Sequence, residues 1–371
     1  MTQPDETAFM RRAIGLARMS LGRTRPNPAV GAVVVKDGGI AGEGRHVRCG
    51  RDHAEVAAMK DAAARHGAEI LRGATVYCTL EPCSRPGRVG ACCDALAEAG
   101  VSRVVWACPD PNPKNANRAK RVLGARGIKA ECWKGSRDGA KRACAEEAAE
   151  IVAPFAKFVN QGLPFITVKI AMSLDGRICD DSGDAKWISS AAARRETGRL
   201  RERVDVIMVG AETVRKDNPS LLSHGRKNPG LVRVVVTRTG NLPRKAQVFT
   251  DAARKRTVVL VVGRKSVPEK FARWVQPDGI ASVIATKTLK GGMAVLAKSM
   301  YAMHVLCEGG LELARSLAAE GLVDEWLTVL APKVVGHAPV AKAVQARIAK
   351  AKTKYVGGDA FVTTDFGKPG R

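Results

Sequence analysis

The chain has 371 residues, of which 45% are hydrophobic and 26% charged, and it carries a formal net charge of +25. That length suits two domains better than one, and the apolar share excludes a disordered chain. The charge would suit nucleic acid or an anionic small molecule, but the basic residues are scattered. Only 4% of residues are aromatic, which leaves few platforms for stacking single-stranded bases.

Residues 7–21 carry Phe9, Ala13, Leu16 and Ala17 at helical spacing, and Gly22 ends the run. Asp5, Glu6, Arg11 and Arg12 break any apolar core there, so an export signal is not expected. No run of about 18 apolar residues predicts a membrane span. The expectation is a cytoplasmic, reducing location, with the ten cysteines as thiols or metal ligands. Eight of them precede residue 150, which suggests two halves of different chemistry, 1–150 and 151–371.

Pro26-Asn27-Pro28 forces an extended entry into an apolar strand over 29–35, and Asp37-Gly38-Gly39 turns the chain back into a strand at 40–44. His53-Ala54-Glu55 opens a helix over 56–66, closed by Gly67. A strand at 74–80 delivers Glu81-Pro82-Cys83, and Cys92-Cys93 starts a helix over 92–99. A strand at 101–107, the loop Asp110-Pro111-Asn112-Pro113, a basic helix and a strand at 128–133 complete a βα alternation. The helical stretch 139–159, interrupted by Pro154, leads into the second half.

One imidazole and two thiolates form a soft donor set suited to tetrahedral zinc with a fourth position open. A carboxylate two residues after the histidine is superfluous in a structural zinc site. Together they match the H-x-E…P-C-x-x-C signature of zinc deaminases, in which the Glu moves protons and does not ligate. Eight residues separate Cys83 from Cys92, where the generic signature has two. Spacing alone leaves Cys92 or Cys93 as the third ligand. His53 and Glu55, two apart, can face one site only at a helix start.

The second half opens on an alternating strand at 165–171, then Met172-Ser173-Leu174-Asp175-Gly176. Trp187-Ile188-Ser189-Ser190 precedes a helix through Arg201, with the serines placed as caps. Strands are predicted at 206–210, 232–237, 257–262, 281–285 and 303–307, the last entering Glu308-Gly309-Gly310 and a helix at 311–319. Two glycines at a helix start let backbone amides approach a phosphate, although the pattern is not the G-x-G-x-x-G fingerprint.

These motifs resemble, over nearly the whole chain, the bacterial bifunctional riboflavin-biosynthesis family, a pyrimidine deaminase fused to an aminouracil reductase. The first half matches at 26–31, His53-Ala54-Glu55, 79–84, 92–96 and 110–113; the second matches at 169–176, Trp187-Ile188, 210–213, 217–219 and 308–310. The long Cys83–Cys92 gap is itself what this family shows. The resemblance implies an α/β chain: a cytidine-deaminase-like three-layer αβα domain followed by a dihydrofolate-reductase-like domain. It implies zinc on His53, Cys83 and Cys92 with Glu55 as the proton shuttle, and NADPH in the second domain. Cofactor positions would be Ala171, Trp187, Thr213, Asp217, Gly310, Leu311, Glu312, Leu313, Ala314, Arg315 and Ser316. Substrate positions would be Asn27, Arg88, Ala185, Arg201, Leu221 and Glu308, with Lys169, Asp217 and Glu308 handling protons.

The implied partner is a phosphorylated pyrimidine: deamination of 2,5-diamino-6-ribosylamino-4(3H)-pyrimidinone 5′-phosphate, then reduction of its ribosyl group to ribityl. A homo-oligomer is left open. The chain departs from the family pattern in several places. Arg85 stands where the family has histidine, Ala185 where it has a substrate-contacting serine, and Thr237 where it has aspartate. The loop at 114–119 lacks the usual glycines, and an arginine beyond 217–219 is displaced to Arg226 or lost. The alternative is a deaminase of tRNA or another nucleobase with a degenerate or different second domain.

Overall fold

The computed structural model describes residues 5–179, 188–223, 228–275, 279–280, 282–335 and 348–366. The chain divides into two compact units, Met1–Gly162 and Leu163–Arg371. The boundary expected at 150 falls inside a helix. That helix continues through Pro154, where the lost hydrogen bond and the ring's clash with the preceding turn are offset by the packing of Ile151, Val152 and Phe155.

The first unit contains α1 (Glu6–Arg18), β1 (Gly31–Lys36), β2 (Gly39–Arg45), α2 (Ala54–His66) and β3 (Thr75–Leu80). It continues with α3 (Cys92–Glu98), β4 (Arg103–Cys108), α4 (Ala119–Gly124), β5 (Lys129–Cys132) and α5 (Gly139–Gln161). Five strands form one sheet in the order β2-β1-β3-β4-β5. The pairs β1–β2 and β1–β3 are antiparallel, whereas β3–β4 and β4–β5 are parallel.

Small residues set how closely the helices lie. A Cβ on Gly31 would meet Ala13 O at 2.1 Å, so α1 rests directly on β1. A Cβ on Gly44 would meet Ala58 N at 2.2 Å, so α2 rests directly on β2. Gly44 pairs with Ala32, the neighbour of Gly31, and successive residues of a strand face opposite sides. Helices α1 and α2 therefore cover opposite faces, giving three layers.

The second unit contains β6 (Phe165–Ser173), α6 (Ala191–Leu200), β7 (Val206–Gly210), α7 (Ala211–Asp217), β8 (Val232–Thr237) and α8 (Gln247–Thr250). Then follow β9 (Thr257–Val262), β10 (Ser282–Thr286), α9 (Leu289–Met300), β11 (His304–Cys307), α10 (Leu311–Ala319), β12 (Glu325–Ala331), β13 (Ile348–Val356) and β14 (Asp359–Phe366). The sheet order is β10-β9-β8-β7-β11-β6-β12-β14-β13. It is parallel from β10 to β12, and β14 and β13 add as an antiparallel hairpin.

Alternate residues feed two cores, Val234 and Val236 into one and Val235 into the other. A sheet covered on both faces needs such unbroken β-branched runs. Because β11 returns between β6 and β7, the C-terminal ends of these three strands are neighbours. That is where an α/β sheet opens a ligand crevice.

Candidate active sites

In the first unit the site is built at two helix starts and one strand end. His53 is the N-cap of α2, with φ −69° and ψ 162°, and its carbonyl accepts from Ala57 N–H at 2.9 Å. This extended residue turns the imidazole and the first-turn Glu55 to the same place, as their two-residue spacing required. Cys83 follows the exit of β3, and Cys92 is the first residue of α3. Its amide donates to Cys83 Sγ at 3.2 Å.

His53 Nδ1 lies 3.2 Å from Cys92 Sγ and 3.6 Å from Cys83 Sγ. All three donor atoms are within 4.8 Å of one another. Zinc bonds of about 2.0–2.3 Å at tetrahedral angles require donors about 3.5–3.8 Å apart, so these residues fit the ion. The hydrogen bond from Cys92, then those from His53 and the Cys92 amide, hold the Cys83 thiol well below its ordinary value against the effect of burial. A stabilised thiolate is what a zinc ligand must supply. Cys93 points elsewhere: its Sγ contacts Pro82 O at 3.8 Å.

Glu55 is 3% exposed, and burial pushes its carboxyl up from the usual range. It faces a cavity of about 120 Å³ shared with Asn27, His46, His53, Glu81, Cys83 and Asp110. His46 stands edge-on to His53, with ring centroids 5.4 Å apart. Its Nδ1–H donates to Asp52 O at 2.9 Å, which leaves Nε2 to accept from Asn27 Nδ2–H at 3.1 Å. Burial lowers the His46 pKa and favours that neutral form. A wider mouth of about 410 Å³ opens outward and is lined by Arg51, Arg85, Arg88 and Lys114. The sequence reading missed His46 and Asp110 as cavity residues, and Arg51 and Lys114 at the mouth. Asp110 opens the Asp-Pro-Asn-Pro stretch that matched the family, which could have marked it; nothing in the local pattern of the other three separates them from structural or solvated positions.

In the second unit, Arg201 holds Glu308 in a bidentate pair at 2.9 and 2.8 Å. Its remaining Nη1 donates to Leu222 O at 2.9 Å. Glu308 leaves β11 with its amide bonded to Met208 O of β7 at 3.0 Å, which places it at the crevice. Lys169 on β6 is lowered by burial, with Glu308 opposing and Arg201 adding to the effect. The structure thus brings Lys169, Arg201 and Glu308 together. Leu221 is 2% exposed with φ 57°, in the loop after α7.

Thr213 and Asp217 ride on α7 and Ala171 on β6, while 310–316 form the start of α10. Gly309 is required: a Cβ would meet Gly210 N at 2.9 Å, so only glycine lets β7 and β11 end side by side. Gly310 caps α10 without a side chain, which leaves first-turn amides for an anionic group such as the phosphates of NADPH. Thr237 Oγ1 accepts from Gly240 N–H at 2.9 Å and closes a turn where the family has a carboxylate. Trp187, Ala185 and Arg226 lie outside the described residues.

The two sites define a class of protein: a zinc deaminase joined to a nicotinamide-dependent reductase. Residues 3–108 match the family model of the cytidine and deoxycytidylate deaminase zinc-binding region, and 164–357 match the RibD C-terminal domain. The riboflavin biosynthesis protein RibD of Aquifex aeolicus is 34% identical over 91% of this chain and 90% of its own. That of Escherichia coli is 36% identical over 88% of each.

Among solved structures, Acinetobacter baumannii RibD superposes with a TM-score of 0.81 at 32% identity, covering 98% of this chain and 99% of its own. The diaminohydroxyphosphoribosylaminopyrimidine deaminase/5-amino-6-(5-phosphoribosylamino)uracil reductase of Thermotoga maritima does so at 0.81 and 30% identity, covering 97% and 98%. The chain belongs to the RibD family, the bifunctional deaminase–reductases of riboflavin biosynthesis, which use zinc in one domain and NADPH in the other. Matches across both units do not favour a nucleobase or tRNA deaminase with an unrelated second domain.

Proposed function

We propose that His53, Cys83 and Cys92 hold the zinc and that Glu55 shuttles protons in deaminating a phosphoribosylated diaminopyrimidine. The observation that supports it is the triad itself, with a buried carboxylate in the same small cavity. Bound zinc supplies Lewis acidity towards water. Glu55 takes a proton from the water as its oxygen adds to the amine-bearing carbon, then returns it to the departing nitrogen as the C–N bond breaks. Burial raises this carboxyl above its ordinary range, so it holds a proton more readily and can both take one up and return it. Asn27, held through His46, fixes the ring, and the exposed Arg88 at the basic mouth meets the phosphate.

In the second unit NADPH supplies the hydride. The start of α10, from Gly310 to Ser316, would hold its phosphates, with Thr213, Asp217 and Ala171 along the same edge. Lys169 delivers a proton to the ring oxygen freed as the ribosyl group opens. Its depressed pKa eases that transfer, and Glu308, braced by Arg201, orients the sugar.

Replacing Glu55 with Gln tests the first half. Ammonia release should fall by at least about a hundredfold while zinc stays bound and the reductase step is retained. Wild-type ammonia release in that variant would remove Glu55 from the mechanism.

A further inference from the structure

Glu81 lines the same cavity as Glu55 and is likewise a carboxylate 3% exposed. Main chain occupies its oxygens. Oε1 accepts from the amides of Arg118 at 2.8 Å and Ala119 at 3.0 Å. Oε2 accepts from Asp110 at 3.1 Å and Asn117 at 3.0 Å. Four donors fill the roughly four acceptor positions of a carboxylate, so Glu81 has no capacity left to exchange a proton with substrate.

The same four bonds tie both ends of segment 110–119 to the exit of β3, two residues before Cys83. A second tie joins them from the other side. Asn115 Nδ2 donates to Asp110 Oδ2 at 2.7 Å, and Asn115 Oδ1 accepts from Ser84 N–H at 2.8 Å and from Ser84 Oγ at 3.2 Å. Asp110 Oδ1 accepts from Asn112 N–H at 2.8 Å. The segment contains no glycine, and Asn117 takes the left-handed conformation, φ 59°, that lets three successive amides converge on one carboxylate.

We infer that Glu81 is a positioning residue for deamination: it clamps segment 110–119 so that Asp110 in the cavity and Asn112 at its mouth form a fixed polar wall for the pyrimidine ring. This rests on the reading of the cavity as the deaminase site. Charge-assisted bonds to main chain are the strong kind, and they hold the wall before substrate arrives. The wall contacts ground state and transition state alike, so loosening it weakens binding more than chemistry.

Glu81→Gln keeps the size but offers a single acceptor oxygen and turns an NH₂ towards the remaining amides. Hydrogen exchange at Asp110, Asn117, Arg118 and Ala119 should quicken by about tenfold or more. The KM for ammonia release should rise about tenfold, with kcat within about threefold of wild type. Zinc content and NADPH-dependent reduction of the deaminated pyrimidine report that the protein is folded. Should Glu81→Gln fail that control, Asn115→Ala cuts the second tie and should raise KM in the same way. Unchanged exchange and KM in a folded variant would overturn the inference. So would a fall in kcat of about a hundredfold with exchange protection retained, because Glu81 would then act on the reacting atoms. Absence of ammonia release from the wild-type zinc protein would instead remove the deaminase reading beneath it.

Discussion

Cys92 and Cys93 stand side by side at the start of α3, about a hundred degrees apart around the helix. Only Cys92 faces His53; Cys93 is fully buried, its thiol pushed up to about 12 chiefly by that burial. Cys92→Ser should therefore lose stoichiometric zinc and ammonia release, while Cys93→Ser keeps both, as metal analysis of the two purified variants will show. In the second unit Arg233 is 0% exposed and paired with Asp251 at 2.6 and 2.8 Å. Its Nη1 also donates to Ser220 O at 2.8 Å, next to Leu221. Asp251→Asn leaves a buried charge short of its partner. We expect a loss of about 3 kcal/mol in urea unfolding and a raised KM for the reductase substrate.

The helix that carries Glu55 owes its place to glycines on the strand beneath it. With Cβ atoms at Gly42 and Gly44, both in backbone contact with α2, that helix would have to lift from the sheet and take His53 with it. Gly44→Ala should cost about 1–3 kcal/mol by thermal unfolding and lower ammonia release, through overpacking rather than lost chemistry. Most elements up to residue 319 were legible in the sequence as apolar runs or helical stripes, but helices α7, α8 and α9 were not anticipated. Strands β12 to β14 were not anticipated. β13 reads Ile-Ala-Lys-Ala-Lys-Thr-Lys-Tyr-Val, a lysine-rich pattern of a sheet edge, and it becomes a strand only by pairing with β14 across Gly357-Gly358.

Acid should reach the two units through different groups. His304, packed edge-on against Phe165, is pushed down to about 4 by burial. The unfolded chain binds the proton first, so its contribution is complete above about 6.5 and is lost as pH falls towards 4. Glu6 joins α1 to β3, β4 and α5 through Tyr77, Arg103 and Lys141. Burial opposes its charge, but these hydrogen bonds prevail and bring it to about 2. Its contribution is complete above about 4.5 and is lost towards 2. Thermal unfolding between pH 7 and 5 should accordingly weaken the second unit before the Glu6 network is touched, and His304→Gln should flatten that dependence.

The ligand types, their order and the division into two chemistries were readable along the chain, because zinc chemistry needs particular donors and strands and helices need particular periods. Neighbours distant in sequence were decided only by the fold. Which of two cysteines turns inward depends on helix phase. Four amides from a loop about thirty residues on settle that both oxygens of Glu81 are taken by main chain. The pairing of Arg201 with Glu308, more than a hundred positions apart, arises where the sheet order sets the end of β11 between those of β6 and β7. Local patterns record which chemistry a residue can do, and packing decides whether its lone pairs and protons are already spent.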